Sequence, residues 1–109
     1  MADNLVTSGF PVAINKTGVA THTIYTPPAG KKWVLFYLVL YATGAVTVEM
    51  KSATTAISGV IGIAATTIAT FEAAGLPIQK ALVVGDAFNI TQTGAFDLDG
   101  WAWMALVDV

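Results

Sequence analysis

The chain has 109 residues, of which 55% are hydrophobic and 11% charged, with a net charge of −2 and no cysteine. That length predicts one domain over residues 1–109 with a single core and residues 1–9 as an N-terminal arm. Without cysteine there are no disulfides, thiolate nucleophiles, iron–sulfur clusters or Cys-type zinc sites. The five basic residues are all lysines, so bidentate arginine readout of bases and a broad cationic groove are both absent, and no direct nucleic-acid contact is expected.

Short runs alternate with period two between Gly, Pro and Asp punctuation, which predicts an antiparallel sheet of about eight strands. The chain enters with Phe10 to Ile14 and Val19 to Thr26, and Pro27-Pro28-Ala29-Gly30 must turn because neither proline donates a ladder bond. A long strand follows from Lys32 to Tyr41. Thr43-Gly44 offers a reversal into Ala45 to Lys51, where Val46, Val48 and Met50 alternate with Thr47, Glu49 and Lys51. Further strands are expected at Ala56 to Ile63, Thr66 to Ala73, Asp86 to Thr93 and Gly100 to Val107. The stretch from Ala64 to Ala74 fits either a strand or a short helix.

The strand from Lys32 to Tyr41 is apolar on both sides. Val34, Phe36, Leu38 and Leu40 share one face; Trp33, Leu35, Tyr37, Val39 and Tyr41 share the other. In the last strand Trp101 and Trp103 oppose Met104 and Leu106. Antiparallel sheets commonly keep one face wet. The second apolar face is therefore either ordinary sandwich core or an interface, and the candidate interface residues are Trp33, Tyr37, Tyr41, Trp101 and Trp103. The low charge points the same way, since about 25% is usual for soluble domains and large apolar patches mark contacts. A bilayer span is not expected: the longest charge-free stretches, Trp33 to Val48 and Ser52 to Phe71, are interrupted by Gly, Ser and Thr and rich in β-branched residues. Met1-Ala2-Asp3-Asn4 carries an acid where a secretory signal needs bases, so no export signal is expected. Asn15-Lys16-Thr17 and Asn89-Ile90-Thr91 are then chance matches to the glycosylation pattern.

The residues predict no catalytic, cofactor or metal site, and so a non-enzymatic protein. His22 is the only histidine, within Thr21-His22-Thr23, and is expected to be structural, bonded to a neighbouring hydroxyl. Gly59-Val60-Ile61-Gly62 lacks the lysine and hydroxyl of a phosphate loop. In Phe96-Asp97-Leu98-Asp99-Gly100 a calcium-loop reading puts Ala95 first and Leu106 twelfth, without the required oxygen donors. The aspartates are read instead as turn formers before Gly100.

Ile24-Tyr25-Thr26-Pro27-Pro28-Ala29-Gly30-Lys31-Lys32-Trp33, followed by an apolar strand and Ala45-Val46-Thr47-Val48-Glu49-Met50, resembles the entry turn, strand and hairpin of small β-sandwich virion proteins of tailed bacteriophages. Leu76-Pro77-Ile78, Ala81-Leu82-Val83-Val84-Gly85-Asp86, Phe88-Asn89-Ile90 and Gly100-Trp101 resemble the apolar strand, Gly-Asp turn and closing strand of their jelly-roll decoration and head-fibre members. The resemblance covers residues 24–107. It implies an all-β, single-domain antiparallel sandwich of jelly-roll type that acts as a capsid decoration (cement) protein. Such a protein sits on the virion surface between capsomers, as a homotrimer, with itself and the major capsid protein as partners. The alternative it implies is a head-fibre or tail appendage module that binds carbohydrate or a receptor.

Overall fold

Alternating residues put one apolar side of each strand inward, and every strand pair so formed is antiparallel. The structure, a computed structural model, describes residues 4–5, 9–74 and 76–108. Its strands are β1 (Asn4–Leu5), β2 (Phe10–Thr17), β3 (Ala20–Tyr25), β4 (Lys31–Ala42), β5 (Val46–Ser52), β6 (Thr55–Ala56), β7 (Ile61–Ile63), β8 (Thr67–Glu72), β9 (Gln79–Lys80), β10 (Phe88–Thr93) and β11 (Asp97–Asp108). No helix among the described residues is long and apolar enough to cross a membrane.

One sheet runs β2–β11–β4–β8, with β1 also on β11 and β9 also on β4; the other runs β3–β10–β5, with β6 and β7 on the far side of β5. The order is that of a rolled hairpin. β2 pairs β11, β3 pairs β10, β4 pairs β8 and β5 pairs β7, so the two halves of the chain run back along each other; rolling then brings β11 onto β4 and β10 onto β5. This is the jelly roll expected from the sequence, an all-β sandwich of two antiparallel sheets. Between the sheets lie Ile14, Leu38, Leu40, Val48, Met50, Ile90 and Leu98, with Trp33 and Phe88 in ring contact at 4.8 Å.

The register of β4 against β11 contains one irregularity. Trp103 lies opposite Tyr37 and Met104 opposite Leu35, so Phe36 has no partner and forms a β-bulge. An unpaired residue reverses the side on which every later residue points. Before the bulge Trp33 and Leu35 face the core; after it Leu38, Leu40 and Ala42 do. The two-faced alternation read across the whole strand is therefore corrected. Trp33 is fully buried in the core, while Val34 and Phe36 belong to the outer side with Tyr37, Val39 and Tyr41.

Other expectations shift for local reasons. Ala56 to Ile63 is not one strand but β6 and β7, parted where the Met50 amide turns to the Ser58 hydroxyl at 2.9 Å. Ala64 to Ala74 contains strand β8, not a helix. Ala81 to Asp86 is a loop, pinned because the buried Ser52 hydroxyl donates to Asp86 at 2.8 Å and accepts from the Leu82 amide at 2.9 Å. Asp97 and Asp99 are strand residues; the turn comes earlier, at Gly94 to Phe96, whose carbonyls accept from the buried Gln92 amide at 3.0 and 2.6 Å. Of the expected arm over residues 1–9, only Asn4, Leu5 and Gly9 are among the described residues; Asn4 and Leu5 pair with Asp108 and Val107, and the rest lies outside them.

Gly100 has φ +147°, and a Cβ there would come within 1.9 Å of the Val39 carbonyl oxygen. Gly100→Ala is therefore expected to destabilise the fold by about 3 kcal/mol or more, in the upper range for single substitutions, whereas Gly62→Ala should change it by less than about 0.5 kcal/mol. A Cβ at Gly62 meets nothing within 4 Å. Gln92→Leu is expected to remove about 2 kcal/mol or more, since two turn carbonyls lose their donor. Urea unfolding of the three variants checks these expectations.

Candidate interaction surface

The outer side of the β2–β11–β4–β8 sheet carries the aromatic residues singled out in the sequence, with one exception. Cross-strand pairing sets Pro11, Trp103, Tyr37 and Glu72 in one row, Ala13, Trp101, Val39 and Thr70 in the next, and Asn15, Asp99, Tyr41 and Ile68 in a third. Trp101 and Trp103 are each 40% exposed, and Tyr37 and Tyr41 are half-buried beside them. Trp33 is not part of this group, because it precedes the bulge.

The rings are held in place by their neighbours. Trp101 stacks on Tyr37 at 5.1 Å with 25° between the planes, a diagonal cross-strand contact. Trp103 lies against the backbone of Gly9, where a Cβ would fall 1.9 Å from its indole nitrogen. A ring already packed against neighbours loses little side-chain entropy when a partner covers it.

The outer side of the other sheet has the opposite character. Thr21 and Thr91 share a hydrogen bond at 2.8 Å, Thr47 bonds Thr93, and Lys51 lies 3.8 Å from Glu49. These polar groups satisfy one another in water and leave little apolar area to bury. The contrast makes the aromatic side the stronger candidate for a partner.

His22 is half-buried, with Nε2 at 3.1 Å from both the Gly18 carbonyl and the Gln92 side-chain oxygen. Both partners are acceptors, so Nε2 carries the proton and donates. The expected hydroxyl partner is thus replaced by an amide and a carbonyl. Asp97 accepts from the Thr17 hydroxyl at 2.8 Å. Burial pushes the Tyr25 hydroxyl above its ordinary pKa, and its ring packs on Phe10 at 5.4 Å. Among the described residues no group of three His, Asp or Glu side chains is placed to hold a metal ion.

A second apolar feature was not visible in the sequence. Beside β6 and β9 a cleft of about 570 Å³ is lined by Ala56, Ile57, Pro77, Ile78 and Leu82 together with Gln79 and Lys80, and exposed Leu76 and Val83 lie in the same loops. Leu82-Val83-Val84 has the composition of a strand, but the Ser52 hydrogen bonds, with those of the Ala81 and Gly85 amides to Trp33 and Lys31, hold it as a loop. No sequence pattern marks that.

No protein-family model and no curated protein matches the chain. Among solved structures it is similar to a subunit of Bacillus endospore appendages, which form a novel family of disulfide-linked pili. The TM-score is 0.56 and the identity 19%, over 100% of this chain and 92% of that one. At such identity the likeness is one of fold.

Trp33 and Trp101 separate core from surface. Trp33→Ala is expected to destabilise the fold by about 3–5 kcal/mol, while Trp101→Ala should leave the unfolding of the isolated chain within about 1 kcal/mol of the parent. Thermal unfolding at the lowest workable protein concentration measures both, because a concentration-dependent midpoint would report assembly as well.

Proposed function

We propose that the chain is a non-enzymatic structural subunit that works by assembling with other copies at the surface of a larger particle. The observation that carries this reading is the preorganised aromatic row of Tyr37, Tyr41, Trp101 and Trp103 on an otherwise unpartnered sheet face. Its finer form is the decoration (cement) protein implied by the resemblance to tailed-phage virion proteins. In that role the chain sits on the capsid between capsomers and contacts the major capsid protein, three copies together. A rigid sandwich with a wide apolar face suits the role, because cementing requires buried contact area and no titratable centre.

The fold likeness to an appendage subunit supports assembly in the same general sense. With no cysteine among these 109 residues, a fibre built from them has no disulfide between them, unlike the disulfide-linked pili. A second reading is favoured by one observation: Trp101 is exposed beside Asp99 and Asn15, a combination on which a sugar ring could stack and hydrogen-bond. In that reading the chain is a carbohydrate- or receptor-binding module of a fibre or tail.

Light scattering and negative-stain electron microscopy of the purified chain test the proposal. A closed oligomer supports the cement form and open filaments the appendage form. A monomer at about 100 μM, a concentration at which even weak specific interfaces associate, would sink both.

A further inference from the structure

We infer that the aromatic sheet face binds the same face of a second copy, with the strands of the two copies antiparallel across a two-fold axis. This rests on the assembly reading above and adds the contact and its orientation.

The charges of the face are segregated along the strands. Asp97 and Asp99 stand at one end, on β11 beside Asn15 and Tyr41. At the other end Lys32 lies opposite Val107 and Lys80 opposite Val34, both on the outer side because Trp33 and Leu35 point inward. Between the two ends lie Trp101, Trp103 and Tyr37. The third acidic group of the face, Glu72, is exposed on strand β8 at its margin, off the Trp101–Trp103 line.

Two face-to-face orientations preserve a two-fold axis. An axis along the strands sets the aspartates of one copy over those of the other. An axis across the strands sets them over the lysines. Like charges disfavour the first and opposite charges favour the second. The contact is isologous, so it uses one patch twice and stops at two copies unless another surface extends it. At the lysine end Val34, Ala105 and Val107 are already buried within the chain. The open aromatic half of each copy therefore meets the closed half of the other.

Charge reversal reads this contact directly. Asp99 and Val107 are eight residues apart on β11, so Asp99 and Lys32 of one chain are separated by about 26 Å. That is well beyond the screening length of about 8 Å at physiological salt, so any rescue between these positions comes from another chain. Asp99→Lys alone and Lys32→Glu alone are each expected to weaken self-association about tenfold. An equimolar mixture of the two, and the double variant, should return to within about threefold of the parent. Sedimentation velocity of the full chain measures all four. The parent's association should itself weaken as salt rises, which needs no variant, and circular dichroism confirms that each variant is folded.

If the parent assembles but the mixture is no tighter than either variant alone, or if Trp101→Ala/Trp103→Ala leaves the mass unchanged, the two-fold contact is wrong while assembly stands. If the parent is monomeric throughout, both fail. A monomer whose tryptophan fluorescence responds to soluble oligosaccharides would give the face to a glycan instead.

Discussion

The pairing of β4 with β11, with Phe36 left over, is the constraint on which the rest of the molecule depends. Two twelve-residue strands run side by side through the middle of one sheet and shift register once. Because side chains alternate with period two, that single residue decides which half of β4 shows its aromatic residues to the core and which to the outside. Without it, either Trp33 would leave Phe88 without its ring contact or Tyr37 and Tyr41 would be pulled off the outer face. Gly100, opposite Leu40, lets the strands approach within what any larger residue would obstruct. One bulge and one glycine thus place the core and the candidate surface together.

The polar groups of the interior serve the same end. Ser52 and Gln92 are the buried polar residues among those described, and each ties its strand to a loop. Gln92 donates to the carbonyls of Gly94 and Phe96 and accepts from His22, so the turn before β11 closes at a defined place. Ser52 binds Leu82 and Asp86 and holds the long loop against the sandwich. A fully satisfied buried network specifies geometry, while a partly satisfied one destabilises. These two side chains help to fix the turn before β11 and the Leu82 to Val84 loop.

Much of the architecture was legible because its signals are local. Alternation in Val46 to Lys51 and the Pro27 to Gly30 turn are each written in a few adjacent residues and lie where expected, whereas Thr43-Gly44 closes no hairpin but carries the chain from one sheet to the other, since β4 and β5 do not pair. The bulge was not legible, since Phe36 is one apolar residue in an apolar run and nothing local says it lacks a partner. The same limit explains the surface. Tyr37, Tyr41, Trp101 and Trp103 were found from residue type and alternation, but Trp33 was grouped with them because the alternation was carried through the bulge. The Leu82 to Val84 loop is not legible because the groups that hold it, Ser52 and the carbonyls of Lys31 and Trp33, lie thirty or more residues away.

The two outer faces differ in chemical character. Cross-strand threonines and the Glu49–Lys51 pair hydrate one sheet and satisfy each other, so covering that side gains little. The other sheet offers large, pre-packed aromatic area, which gives binding energy but little direction, since apolar contact is nearly indifferent to orientation. Orientation must come from groups that repel when misplaced. On this face those are the aspartates at one end and the lysines at the other, far enough apart not to neutralise each other within a chain. In the proposed contact such placement gives the orientation, and the long β4–β11 ladder supplies the distance that makes it possible.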